Sequence, residues 1–202
     1  MPAFAIEHSP TRYHADFVAY ALAIAALSAW LAWRAPAGLA WPLLGFALAG
    51  LASWSALEYA LHRFVLHGLP PFAGWHAEHH RRPAALIGTP TLVSALMFGL
   101  LVALPGVLLL GPWRGGALTL GVLTGYLVYA TLHHGLHHWR LTSPWWQARK
   151  FAHARHHHLP QPCCYGVTSG FWDRVLRTGG HKVKAHRPAA VRVHIPVVRR
   201  RG

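Results

Sequence analysis

Acidic side chains are nearly missing from this chain of 202 residues, which has five Asp and Glu against 19 Lys and Arg. Charge of either sign is scarce, at 12% of residues against 53% hydrophobic, and this excludes the mixed-charge surface of an ordinary soluble domain. Cysteine is limited to Cys163 and Cys164, adjacent and poorly placed for an ordinary disulfide. No disulfide framework or cysteine-based zinc module follows from them, and both thiols read as reduced packing residues. Carboxylates are also too few for a ferritin-type di-iron bundle, which needs bridging Glu and Glu-x-x-His. The net charge of +14 raises nucleic acid as a partner, but no recognition motif accompanies the basic tail. Basic segments beside a bilayer suit anionic lipid headgroups instead.

What is present is long apolar runs and histidine. Four stretches, about 15–33, 37–57, 90–110 and 115–132, contain no Lys or Arg and approach the roughly 20 residues needed to cross a bilayer. Asp16, at the edge of the first, is their one carboxylate. The first run is too long for a signal-peptide core and is expected to be retained. The turns Arg34–Gly38 and Leu110–Gly116 are rich in Gly and Pro, so the spans pair into two hairpins. With the N-terminus cytoplasmic, all of the 19 Lys and Arg except Arg34 and Arg114 fall on the cytoplasmic side, as the positive-inside rule requires. The expected fold is an all-α integral membrane protein: four transmembrane helices in two hairpins, under a cytoplasmic cap of residues 58–89 and 133–180, with a basic tail at 181–202. The expected location is a bacterial inner membrane, both termini and the cap being cytoplasmic.

Most of the 18 histidines sit in that cap, in four clusters. They are His62-Arg-Phe-Val-Leu-His67, His76-Ala-Glu-His-His80, His133-His-Gly-Leu-His-His138 and His153-Ala-Arg-His-His-His158. The second span runs without a breaker through the first cluster to Gly68 and Pro70-Pro71, and the fourth runs on through the third. Trp75–Arg82 begins a short helix or turn. Ser143-Pro144 is a cap and first-turn signal for a helix through His158, whose Trp145, Trp146 and Phe151 suit a membrane interface. Thr168 or Ser169 could cap a last helix reaching Arg177. The order of hairpin, histidine pair and H-A-x-H-H occurs twice, so two similar halves would each supply five imidazoles.

Neutral imidazole offers a lone pair to divalent metals, and spacings of three and four residues put rings on one helical face. His76, His79 and His80 have that spacing, as do His153, His156 and His157, and His133 with His137. His62 and His67 lie about 140° apart around an α-helix, so they grip two metals, or one if the helix end unwinds. These ten candidates are too many for one ion and enough for two. His138 competes with His137, because a 133/138 pair would mirror 62/67. Glu58, Glu78 and Asp173 are candidates to orient imidazoles from outside, or to pair with arginines. His8, His14, His134, His158, His181, His186 and His194 read as bystanders.

These four clusters, followed by Tyr165-Gly-Val-Thr-Ser-Gly-Phe-Trp-Asp173, resemble the fatty acid hydroxylase/sterol desaturase superfamily over about residues 50–178. The G-V-T-S-x-F-W-D ending is closest to the fatty acid 2-hydroxylase branch. The resemblance implies a membrane-bound non-haem di-iron hydroxylase using two Fe ions and O₂ on a lipid from the bilayer, with zinc able to replace iron in crystals. It implies electrons from outside, and with no cytochrome b5 domain in the sequence the expected donor is a separate cytochrome b5, ferredoxin or reductase. Trp54, Tyr59, Phe64, Trp75 and Trp172 are candidate walls for the lipid. The third cluster also resembles the L-H-x-G-L-x-H stretch of bacterial carotene hydroxylases, in which His138 would be a ligand. A carotenoid or sterol-type oxidase is therefore the alternative, and a metal-binding membrane protein the non-enzymatic one.

Overall fold

The computed structural model describes residues 6–180; the basic tail lies outside the described residues. Among them the chain is helical, with one isolated bridge, Glu7 to Ile87. Helix α1 (Pro10–Arg34) begins at Ser9, whose Oγ accepts from the Arg12 amide at 3.4 Å. Helix α2 (Ala40–Ala60) continues as a π-helical turn, Leu61–Leu66. Helix α3 (Phe72–Arg81) follows the prolines. Helix α4 (Thr91–Phe98) passes through a second π-helical stretch, Gly99–Ala103, into α5 (Leu104–His138). Pro105 lacks the N–H that an α-helical turn would need there, and such widened turns accommodate the loss.

Among the described residues, three helices are long and apolar enough to cross a membrane: Pro10–Arg34, Ala40–Leu66 and Thr91–His138. The third is not straight. Gly111 has φ 77° and ψ 167° and is followed by Pro112, a combination that breaks a helix. A Cβ on Gly115 would lie 2.3 Å from the Gly106 carbonyl carbon. Nine residues of straight helix rise about 13.5 Å, so the backbones on either side of Gly111 have folded against one another. Phe98 and Tyr126 pack at a 59° tilt farther down the same hairpin, 4.9 Å between ring centroids.

Helices α2 and α5 touch through their backbones. A Cβ on Gly50 would meet the Leu118 oxygen at 2.1 Å, and one on Gly121 the Ala47 oxygen at 2.0 Å. Small residues at a crossing permit the close van der Waals contact on which association in lipid depends. The hydroxyls of Thr119, Thr124 and Thr131 bond back to carbonyls one turn earlier, so none remains unsatisfied in the apolar layer.

Helix α6 (Pro144–His158) starts where Ser143 accepts from the Trp146 amide. Trp146, expected at a membrane interface, is instead buried with Leu136 and Val167, while Trp145 and Phe151 are exposed. The last helix, α7 (Phe171–Val175), is shorter than expected and has Gly170 at its cap position with no side-chain bond. Ser169 Oγ accepts from the Phe171 amide at 3.4 Å but does not cap the helix as expected.

Candidate metal centre

The ten candidate histidines meet in two groups of five. His62, His67, His76, His80 and His156 form one, and His79, His133, His137, His153 and His157 the other; within each group the ligand atoms lie within 4.8 Å of one another. Each group takes four rings from one half of the chain and one from the other half's H-A-x-H-H. In α3, His76 and His80 face one group and His79 the other; in α6, His153 and His157 face one and His156 the other. His80 and His157 stack across the divide, 4.2 Å apart and 15° from parallel.

His62 and His67 share a group although an α-helix would separate them. The turn carrying them is π-helical, and i→i+5 bonding brings residues five apart over one another. Their ring centroids are 5.3 Å apart. The choice between one metal and two for this pair thus falls on one pocket, through widening of the helix end. His138 joins neither group and stacks on His134, 4.4 Å away.

Inside each group ring nitrogens face ring nitrogens. His62 Nε2 lies 3.0 Å from His76 Nε2, and His80 Nε2 lies 3.1 Å from His76 Nε2 and 3.0 Å from His156 Nε2. In the other group His153 and His137 Nε2 are 2.8 Å apart. His62 Nδ1 donates to the Tyr165 carbonyl at 2.6 Å and His156 Nδ1 to the Cys163 carbonyl at 2.8 Å. Protons committed to Nδ1 leave lone pairs on the Nε2 atoms that converge. Both nitrogens of His79 and of His157, and Nε2 of His133, are buried without a hydrogen-bond partner among the described residues. Converging lone pairs and orphaned donors are unfavourable for protein alone and suit a divalent cation in each group.

Burial also keeps these rings neutral. It pushes His79 and His156 down to about 3 and His80 to about 4, with neighbouring imidazoles adding repulsion to any charge. His76, His153 and His157 shift the same way for the same first reason. A neutral ring is the ligating form.

The carboxylates do not orient imidazoles directly, contrary to one expectation. Glu58, 3% exposed, accepts from the Val167 amide at 2.6 Å, the Thr168 amide at 2.9 Å and the Thr168 hydroxyl. Asp173 accepts from the Tyr165 and Gly166 amides, each at 2.9 Å, and from the Thr178 hydroxyl at 2.8 Å. The two acids hold the loop whose carbonyls fix His62 and His156. Glu78 makes surface ion pairs with Arg81 and Arg82. The orienting groups that spacing missed are therefore the Cys163 and Tyr165 carbonyls. Their sequence signal was indirect: a G-V-T-S-x-F-W-D run ending in an acid that binds back eight residues. Cys163 and Cys164 are buried free thiols outside both groups.

Beneath the histidines lies a cavity of about 300 Å³, with His62, His76, His79 and His133 in its lining. Trp54 and Trp75 line it as expected. Tyr59, Phe64 and Trp172 do not: Tyr59 bonds Thr178 at 2.9 Å, Trp172 donates to Ser55 Oγ at 3.3 Å, and Phe64 is exposed. The cavity thus joins an apolar interior to both histidine groups.

The model of the family described as fatty acid hydroxylase matches residues 47–178. A dihydroceramide fatty acyl 2-hydroxylase of Arabidopsis thaliana is 35% identical over 70% of this chain and 63% of its own length. A ceramide very long chain fatty acid hydroxylase of Schizosaccharomyces pombe is 33% identical over 67% of this chain and 42% of its own. The solved structure of full-length scs7p, with only its hydroxylase domain visible, superposes with a TM-score of 0.73 at 24% identity, over 86% of this chain and 67% of that one. The chain therefore spans less than two thirds of the length of these two curated relatives.

Proposed function

The chain belongs to the fatty acid hydroxylase family, and from that premise we propose that it is a membrane-bound, O₂-dependent lipid hydroxylase acting on a fatty acyl chain. Each histidine group would hold one iron ion, ten imidazoles in all serving two metals. Bound there, iron supplies the redox chemistry that side chains lack; zinc would fit the same imidazoles without redox chemistry. One observation carries this reading: two groups of five neutral imidazoles open onto a single apolar cavity.

The protein's own part is positional. Trp54, Leu57 and Leu61 offer an apolar wall for a chain entering from the bilayer and help exclude water near the reacting carbon. The Cys163 and Tyr165 carbonyls fix two rings, and Glu58 and Asp173 fix those carbonyls. The reversal at Gly111 supports four membrane crossings, with the histidine clusters in a cap on one side. The restriction of Arg34 and Arg114 to the opposite loops supports a cytoplasmic cap. Electrons would come from a separate donor protein, and basic residues near the surface would meet anionic lipid. The carotenoid alternative relied on His138, which stacks on His134 away from both groups.

The test is metal content and turnover in detergent-purified protein. Two metal ions per chain are expected, and supplying iron, a reductant system and O₂ should yield hydroxylated lipid by mass spectrometry. Less than one metal per chain after reconstitution would sink the dimetal reading. Retained metal with no product from any acyl lipid would point to a binding protein instead. His76→Ala and His153→Ala should each lose metal and turnover together.

A further inference from the structure

Helix α7 lies beside α2, near the cytoplasmic end of its membrane-spanning stretch. Trp172 donates to Ser55 Oγ at 3.3 Å, and Thr178 bonds the Tyr59 hydroxyl at 2.9 Å. Ser55 stands fifteen residues beyond Ala40, where α2 begins, about 22 Å along the axis and short of the roughly 30 Å of a hydrocarbon core. Trp172 and Asp173 are turned inward, and Asp173 holds the Tyr165 and Gly166 amides. Phe171, Arg174 and Val175 have the i, i+3, i+4 spacing of one face, and with Leu176 and Arg177 they are left outside. Phe171, Val175 and Leu176 are each about half exposed.

The two arginines of this face have no counter-charge in the chain. Of its five acids, Glu7 pairs with Arg82 and Glu78 with Arg81 and Arg82. Glu58 and Asp173 are held by loop amides, and Asp16 lines the cavity. Residues 181–202 contain no acid. Arg177 is unusual in a second way. It follows the end of α7 with φ 56°, where the Thr178 amide donates to the Asp173 carbonyl at 2.8 Å and the Arg177 amide to the Arg174 carbonyl at 3.4 Å. Helices that end in this pattern usually place Gly at that position. An arginine there is unfavourable for the backbone, so what it contributes is its side chain.

We propose that α7 is an interfacial anchor that binds an anionic phospholipid. Arg174 and Arg177 meet the headgroup, and Phe171, Val175 and Leu176 enter the acyl layer. Cations set beside apolar side chains suit such a boundary, and the guanidinium fork can bond two phosphate oxygens at once. A soluble acidic protein would match the charge alone. Three half-exposed apolar residues among the cations, beside Ser55 and Tyr59 of the span, match a lipid. The inference depends on the membrane placement of α2 and not on the hydroxylase chemistry.

The experiment presents the full chain, in a neutral detergent, with equal amounts of phosphatidylglycerol and phosphatidylcholine carrying the same acyl chains. Native mass spectrometry counts the bound lipid. Two cations should favour the first phosphatidylglycerol bound by about 30-fold. Arg174→Gln with Arg177→Gln should remove that factor. Arg12→Gln with Arg114→Gln, an equal loss of charge on other elements, should leave it in place. Phe171→Ser with Val175→Ser should weaken both lipids and keep their ratio. All these positions are exposed, where substitutions cost little stability. Equal falls in the two arginine pairs would reduce the effect to net charge and overturn the assignment, as would an unchanged preference without Arg174 and Arg177. A dimer by light scattering that Phe171→Ser dissociates would assign the face to a second copy instead. Slower reduction by an acidic donor protein in the Arg174/Arg177 variant, with lipid preference intact, would assign it to that partner. Preference that depends on Arg174 and Arg177 in a protein that hydroxylates nothing would keep the anchor and remove only the hydroxylase reading.

Discussion

At the scale of single residues, neighbours in sequence have opposite fates. His137 Nε2 approaches His153 Nε2 at 2.8 Å, whereas His138 stacks on His134. His137→Ala should therefore lower bound metal, and His138→Ala should leave metal content at the wild-type level by elemental analysis; equal losses would contradict the grouping. Glu58 poses a subtler case, since it touches no imidazole but holds the amides of Val167 and Thr168. Glu58→Ala would leave those buried donors unsatisfied and loosen the loop behind His62. The expected result is a loss of about 3 kcal/mol of stability and a fall in metal affinity of about 10- to 100-fold. Wild-type values for both in a folded variant would refute the link. Spacing made eight of the ten histidines legible because i, i+3 and i+4 are geometric statements about one helix; His62 and His67, five apart, needed the widened turn to meet. Spacing could not reveal that backbone carbonyls orient two of the ten, because every residue carries one.

At the scale of elements, the hairpin turns were legible and the widened helix was not. Gly111-Pro112 announces a break in any helix, so the reversal could be read from two residues. The turn at Leu61–Leu66 contains no Gly or Pro; its widening brings His62 and His67 together in the site it serves, and its local composition gives no warning. The contact of α2 with α5 is a middle case, with glycines visible but their partners not. Gly121→Ala should separate the two backbones, because its Cβ would sit 2.0 Å from the Ala47 oxygen. We expect it to cost about 1–3 kcal/mol, read as a lower thermal midpoint in detergent. Gly45→Ala is the control, with nothing within 4 Å of its added Cβ, and helix propensity should make it neutral or stabilising. Equal effects at the two sites would mean that helix contact does not set the cost.

Across the whole molecule, each half of the chain supplies five rings, keeping four in one group and giving one to the other, so the metal-free protein concentrates neutral imidazoles where charge is disfavoured. This has a consequence with a definite sign. In the unfolded chain histidine titrates near 6.5, while in the fold His79 and His156 stay neutral down to about 3 and His80 to about 4. Between those values the unfolded state binds more protons, so stability falls as pH falls below about 6.5 and levels off only near the folded values. His79 and His156, 5% and 3% exposed, each contribute at most about 1.4 kcal/mol per pH unit in that window. The thermal midpoint of metal-free protein should be nearly flat from pH 8 to 7 and drop steeply from 6.5 toward 5. Metal bound to the neutral rings adds its own binding energy to the folded state, so loaded protein should lie above the metal-free curve at neutral pH and lose that margin as protons displace the metal. A metal-free midpoint unchanged at pH 5 would show that these imidazoles take up protons in the fold as readily as in the unfolded chain, and would remove the neutral-ring premise on which both five-histidine groups depend.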